Sequence, residues 1–141
     1  VLSQAMRSRE IHRTYQAFAL GETAASGTID APIARLNGSL IQRTVDFASG
    51  ERSVTHYRTL AHCSVFSHLE LNLETGRTHQ IRVHMAYIGH PLLGDTLYNK
   101  TPGTFPRQAL HSASLSFVHP ITGEPLNFHA PLPEDMQNLL T

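Results

Sequence analysis

The chain has 141 residues, of which 40% are hydrophobic and 16% charged, a size and apolar content that fit one globular domain and exclude a disordered tail. Lysine plus arginine equals aspartate plus glutamate, with 11 of each. This balance excludes a general basic coat for nucleic acid, so any phosphate-binding site must be a local concentration of charge.

The first half of the chain reads mainly as strands. Residues 1–9 show the i, i+3, i+4 apolar spacing of a helix end. A strand follows at residues 15–20, where side chains alternate between two faces until Gly21 ends the pattern. Residues 27–33 are predicted to be a short strand or an extended turn, and further strands are predicted at residues 42–47, 53–61 and 65–73. Pro32 places the first of these at an edge or end of the sheet, and residues 65–73 show the alternation of a half-buried strand.

Helical periodicity appears after residue 76. Ile81, Met85 and Ile88 are spaced i, i+4, i+7, which predicts a helix over residues 78–88 with Thr78 as its N-cap. The remaining elements are strands at residues 109–118 and 125–130 and a short helix at residues 133–140. Residues 1–141 are therefore predicted to form one α+β domain on a mixed, largely antiparallel sheet with few helices.

Positive charge is concentrated in residues 75–94, which contain two arginines, three histidines and no acidic residue. Arg77 lies just before the predicted helix and Arg82 one turn inside it. Exposed amides at a helix start and the paired donors of arginine both favour phosphate or carboxylate. An ordinary solvated helix face explains the same residues, so these observations leave an anion site and a solvated face both open.

Neither the histidines nor the single cysteine forms a catalytic or metal-binding pattern. His79 and His84 are five residues apart and do not share a helix face as metal ligands spaced i, i+4 do. A metal-dependent hydrolase using histidines is therefore the weakest of the functional hypotheses. Cys63 is expected to be a small buried residue, and a lone cysteine is compatible with a reducing cytoplasm.

Residues 76–84, with the sequence GRTHQIRVH, strongly resemble the signature of the RluA-like pseudouridine synthases. Secondary resemblances follow in the family's order, at residues 15–17, 29–33, 89–95, 97–98, 110–111, 119–123 and 128–132. Nearly the whole chain is covered, which is far more specific than a lone motif. The family isomerises selected uridines in structured RNA to pseudouridine after flipping the base into a pocket, and needs no metal or organic cofactor.

The resemblance also implies roles for individual residues. Arg82 matches the arginine that pairs with the nucleophilic aspartate and helps hold the flipped nucleotide. Tyr15 matches the tyrosine that stacks on the base and assists proton removal, and Leu110 matches the apolar residue of the pocket floor. The remaining substrate-binding residues that the signature implies are Arg77, His79 and Gln80.

The family's nucleophile motif, which resembles His-Arg-Leu-Asp followed by a Thr-Ser-Gly-like turn, is absent. The chain begins with Val1, and its four aspartates lie in other contexts. Asp95 in particular is expected to be structural. We therefore expect a fragment of the catalytic domain that does not form pseudouridine alone, and self-association through an exposed sheet edge is a further hypothesis.

The expected partner is structured RNA, either ribosomal or transfer RNA, in the cytoplasm. No apolar run approaches the roughly 20 residues of a membrane span, so no membrane partner is expected. The alternative to an enzyme fragment is a non-catalytic RNA-binding module, which would grip stem-loops through Arg77 and Arg82.

Overall fold

A computed structural model describes residues 11–118 and 121–140. The helix end predicted for residues 1–9 and the start of the turn at residues 119–123 lie outside this range. The described strands are β1 (Ile11–Leu20), β2 (Ser26–Asp30), β3 (Ile33–Arg35), β4 (Arg43–Val45), β5 (Val54–His62), β6 (Phe66–Leu73), β7 (Leu110–Val118) and β8 (Pro125–His129). The helices are α1 (Gln80–Tyr87), α2 (Glu134–Gln137) and a 3-10 turn (Asn138–Leu140).

Six strands form one sheet in the order β2-β5-β6-β1-β7-β8, and each of its described pairings is antiparallel. The strands β3 and β4 form a separate two-stranded hairpin. The predicted α+β class with a largely antiparallel sheet is confirmed, as is the edge position of the segment that precedes Pro32. None of the described helices has the length and apolar character of a membrane span.

One face of the sheet packs against α1. Ala17 of β1 and Leu69 and Leu71 of β6 are fully buried on this face, and they form one cluster with Ile81 and Met85 of the helix. The i, i+4 spacing of the two helical residues places both side chains on the strip that meets the sheet. The helix is thereby seated over the centre of the sheet.

The opposite face forms a second core. Phe18 of β1 is fully buried there, with Met136 of α2 and Ala109. The ring of His68 stacks on Phe18 with centroids 4.5 Å apart. Strand β6 is therefore buried on both faces along its first half, whereas its sequence alternation predicts a half-buried strand.

Two local predictions are wrong. Helix α1 is capped by His79, which has a left-handed φ of 57°, rather than by Thr78. The cause is the side-chain oxygen of Gln80, which accepts hydrogen bonds from the Thr75 hydroxyl at 2.7 Å and the Arg77 amide at 3.0 Å, and so closes the preceding turn. Cys63 is exposed, because it lies in the connection between β5 and β6 and not in either core.

A buried histidine ties α1 to the strands behind it. His84 is fully buried, and its Nε2–H donates to the Ala31 carbonyl at 2.8 Å. Its Nδ1 accepts from the Thr55 hydroxyl at 2.8 Å, and that hydroxyl oxygen accepts from Gln80 Nε2 at 3.0 Å. Burial lowers the pKa of His84, and its hydrogen bonds are all satisfied in the neutral form.

We expect the free energy of unfolding to decrease as the pH falls below about 6.5, the ordinary pKa of histidine. The unfolded chain then binds a proton that buried His84 resists, at a slope of at most about 1.4 kcal/mol per pH unit for one group. Urea unfolding between pH 5 and 8 should show a shallower dependence in His84→Gln than in the wild-type protein. The variant should keep part of the slope, because burial also lowers the pKa of His68 and His79. Identical slopes would contradict this role of His84.

Candidate functional site

A buried ion pair joins Arg82 of α1 to Asp95 in the loop after the helix. Arg82 Nε donates to Asp95 Oδ2 at 2.9 Å, and Arg82 Nη2 donates to Oδ1 at 2.8 Å. The side chain of Asp95 is 0% exposed and that of Arg82 14%. Burial alone would raise the pKa of Asp95, but the hydrogen bonds and charge of Arg82 outweigh it and hold that pKa below its ordinary value. Both groups therefore stay charged.

The same carboxylate organises the loop that contains it. Asp95 Oδ1 also accepts the backbone amides of Leu97 at 3.1 Å and Tyr98 at 3.2 Å. The ring of Tyr98 then lies against the guanidinium, with Arg82 Cζ 5.2 Å from the ring centroid, within the range of a cation–π contact. Asp95 thus places both the arginine and the aromatic ring beside it.

The Tyr98 hydroxyl extends the network to the start of α1. It accepts the backbone amide of Arg43, on β4, at 2.8 Å, and it forms a hydrogen bond with His79 Nδ1 at 2.7 Å. Burial, and then the charges of Arg82 and Arg43, lower the pKa of His79. The neutral form of His79 is therefore favoured. We call Arg82, Asp95, Tyr98 and His79 the Arg82 cluster.

Gly94 allows the loop to place Asp95 in this position. Its φ is +73°, and a Cβ there would lie 1.8 Å from the carbonyl oxygen of Arg107. Its amide also donates to the Pro102 carbonyl at 2.9 Å. A residue with a side chain would displace the backbone that carries Asp95.

Tyr15 and Leu110 lie on the sheet face that packs against α1. Tyr15 pairs with Leu71 of β6, and Leu110 of β7 pairs with Ala17. Both side chains are partly buried against the cluster that contains Ile81 of the helix. A register shift between Thr14 and Tyr15 interrupts the pairing with β7, and such irregularities redirect side chains. The structure thus brings two of the predicted site residues to one surface.

Arg77 and Gln80 lie on the other side of the helix start. Arg77 Nη1 pairs with Glu51 at 2.8 Å, and its Nε donates to the Arg52 carbonyl at 3.0 Å. It also lines a cleft of about 390 Å³ together with Arg35 and Arg43 of the hairpin. Gln80 is 2% exposed, and its amide nitrogen donates to the backbone carbonyl of residue 54 and to the hydroxyl of residue 55. Its side chain therefore faces the protein interior.

The tertiary structure neutralises the cationic segment by bringing in two acids from outside it. Glu51 meets Arg77, and Asp95, one residue beyond the segment, meets Arg82. The sequence predicts only a structural role for Asp95 and no role in the site for Tyr98. The available signal was Asp95 itself, which is the first acidic residue after the arginines and is followed three positions later by Tyr98.

Comparison with known proteins places these residues in a family. The sequence model of a family described as RNA pseudouridylate synthase matches residues 1–87. The chain belongs to this family. The resemblance seen in residues 76–84 is thereby confirmed.

Several pseudouridine synthases are similar to this chain over nearly its whole length. The uncharacterized RNA pseudouridine synthase YjbO of Bacillus subtilis is 50% identical over 99% of this chain and 50% of that protein. Ribosomal large subunit pseudouridine synthase D is 47% identical in Vibrio cholerae and 44% identical in Escherichia coli K12. These matches cover 96% and 99% of this chain, and 46% and 47% of those proteins. The chain spans about half the length of the curated relatives it matches.

Solved pseudouridylate synthase structures share the fold. Human RNA pseudouridylate synthase domain containing 1 superposes with a TM-score of 0.78 and 26% identity, over 92% of this chain and 58% of that one. Human RNA pseudouridylate synthase domain containing 4 gives the same TM-score at 21% identity, over 99% and 64%, and at that identity shows the fold alone. The predicted fold class is confirmed by both.

We expect Gly94→Ala to destabilise the protein much more than Gly103→Ala. Both glycines have positive φ, so both substitutions carry the left-handed strain of roughly 1–2 kcal/mol. A Cβ at position 94 also meets the Arg107 carbonyl, whereas one at position 103 meets nothing within 4 Å. The additional cost at position 94 should be about 1–3 kcal/mol, as in overpacked sites. Urea unfolding of both variants measures this, and equal losses would contradict the close approach at Gly94.

Proposed function

We propose that the protein to which this chain belongs isomerises specific uridines in ribosomal or transfer RNA to pseudouridine. The family match supports this reaction, and the names of the relatives support ribosomal RNA as one substrate. The observation that carries the proposal is Arg82, the arginine of the signature. Asp95 orients it, on the helix that packs against the sheet face bearing Tyr15 and Leu110. A cytoplasmic location is part of the proposal.

In the proposed reaction a flipped uridine binds beside α1, on the sheet face that bears Tyr15 and Leu110. The ring of Tyr15 stacks on the base and Leu110 forms the floor, which offsets the cost of unstacking. An aspartate supplied by upstream sequence acts as the nucleophile, and Arg82 pairs with it. The carboxylate bonds to C1′ of the ribose as the bond from C1′ to N1 breaks, and C5 of the turned base then displaces the carboxylate from C1′. The C5 proton leaves with the help of the Tyr15 hydroxyl, and N1 gains a proton.

The contacts of the other signature residues suit supporting roles in RNA binding and in holding the turn before α1. Arg77 lines the cleft together with Arg35 and Arg43. Three arginines in one cleft suit contacts with the phosphates of an RNA backbone. His79 is anchored through Nδ1, which is hydrogen-bonded to the Tyr98 hydroxyl, and its Nε2 is on the opposite side of the ring. For Gln80, the contacts favour an indirect part in which it holds the turn that carries Arg77.

Release of tritium from C5-labelled uridine in RNA tests the reaction. We expect turnover by a protein that carries this chain with its upstream sequence, and none by the 141-residue chain alone. Arg82→Ala should lower the rate by about 10²–10³-fold, the typical cost of removing one donor from a reaction site. The matched control is Arg58→Ala, which removes an exposed arginine paired with Glu70 at 3.0 Å and should keep the wild-type rate.

Two results would count against these expectations. RNA binding without tritium release by the upstream-containing protein would overturn the proposed reaction and favour a non-catalytic RNA-binding module. Turnover by the isolated chain would show that the nucleophile is not supplied from upstream.

We also propose that the chain self-associates through the edge strand β8. This strand ends the described sheet, and most of its residues are exposed. Open edges pair with other strands unless charge or proline blocks them. Light scattering of the chain should show a mass that rises with concentration. A concentration-independent monomer mass for the unmodified chain would contradict the proposal.

A further inference from the structure

We propose that Asp95 is a positioning residue for the reaction. Asp95 occupies one edge of the Arg82 guanidinium and fixes the orientation of the group. A second edge of the guanidinium is then available to an anionic group. Tyr98 completes this arrangement by holding the guanidinium plane. The inference rests on the proposed function, since it concerns the arginine assigned to that reaction.

The geometry of the guanidinium makes the second edge specific. Arginine has five N–H donors, and they form two parallel pairs that each match a carboxylate or phosphate. Asp95 takes the side pair, which consists of Nε and one N–H of Nη2. The end pair, formed by Nη1 and the other N–H of Nη2, has no hydrogen-bond partner among the described residues.

The free edge reaches the surface of the described structure. Every fully buried side-chain nitrogen and oxygen of the described residues has a hydrogen-bond partner. Because Nη1 of Arg82 has none, it must be part of the 14% of that side chain that remains exposed. A second oxyanion can therefore approach along this edge without displacing Asp95.

Asp95 is the rigid member of the pair. Its carboxylate is fully buried and already fixed by the backbone amides of Leu97 and Tyr98. The Tyr98 hydroxyl is held on both sides, by the Arg43 amide and by His79. A long arginine side chain has many rotamers in solution, so the orientation seen here depends on these fixed partners.

The charge of the pair indicates which kinetic constant Asp95 affects. Asp95 balances the charge of Arg82, so the pair attracts RNA weakly over a distance. What it supplies is oriented donors at the reacting group, and misplacement of such groups by about 1 Å can cost about 10²-fold in rate. We therefore expect loss of Asp95 to lower kcat much more than it changes KM.

The kinetic experiment compares Asp95→Asn with Asp135→Asn in the upstream-containing protein. The first change turns an acceptor edge into one that includes an N–H facing the arginine. The second breaks the exposed ion pair between Asp135 and Arg107, whose side-chain atoms are 3.0 Å apart. Asp135 does not belong to the Arg82 cluster. We expect kcat to fall about 10²-fold in Asp95→Asn, as for a misplaced group, and to stay unchanged in Asp135→Asn. A folded Asp95→Asn protein with wild-type kcat would overturn the inference.

Chemical rescue separates positioning from folding. Arg82→Ala leaves space beside Asp95, and added guanidinium should restore part of the activity because Asp95 can bind it with the same paired geometry. Ammonium should restore none, since it lacks the planar pair of donors. The double variant Arg82→Ala, Asp95→Asn should not respond to guanidinium. Equal rescue by ammonium, or rescue of the double variant, would overturn the inference.

A measurement that does not depend on enzymatic activity tests this inference separately from the proposed function. In nitrogen-15 NMR of the 141-residue chain, the Nε–H of Arg82 should be resolved and slow to exchange, and this signal should be lost in Asp95→Asn and kept in Asp135→Asn. An unchanged signal in Asp95→Asn would overturn the positioning role. Absence of turnover by the wild-type upstream-containing protein would overturn the reaction instead.

Discussion

The guanidinium of Arg82 and the carboxylate of Asp95 are taken out of water together, and the loop after α1 is built around that contact. Transfer of two ions into a protein interior costs several kcal/mol for each unless geometry and further hydrogen bonds offset it. Here two parallel N–H···O contacts and two backbone amides supply that offset. The loop conformation, the glycine at position 94 and the placement of Tyr98 all follow from the need to keep this carboxylate satisfied.

Helix α1 has eight residues and is too short to be stable by itself. It is held by an apolar strip against the sheet and by polar contacts on two sides. His84 and Gln80 bind the strands and turn behind it, while Arg82 binds the loop in front. Such a helix makes a rigid platform, and rigid platforms are what oriented catalytic groups require. The cost is sensitivity to substitution, because each polar member is buried or nearly so and loses its partner when a neighbour changes.

Periodicity allowed the strands and the helix to be located before the structure was known. The central strands β1, β6 and β7 were predicted within a few residues, because side chains that alternate between two environments leave a period of two. The start of α1 was predicted wrongly, because it depends on the Gln80 side chain, which folds back to accept hydrogen bonds from residues 75 and 77. The exposure of Cys63 and the second buried face of β6 were missed for a related reason. Burial depends on what packs on a strand, and α2 comes from the far end of the chain.

The family, the fold class and the arginine of the signature could be assigned from the amino-acid sequence, because a nine-residue motif and the order of secondary motifs are properties of the chain alone. The partner of each charged group, by contrast, depends on the fold. Residues 75–94 contain cations and no acid, yet Glu51 and Asp95 come to their arginines from outside the segment. Electrostatic energy depends on distances in space between groups that are apart in sequence. For that reason the partner of Arg82, the part played by Tyr98 and the edge of the guanidinium left for a ligand follow from the fold.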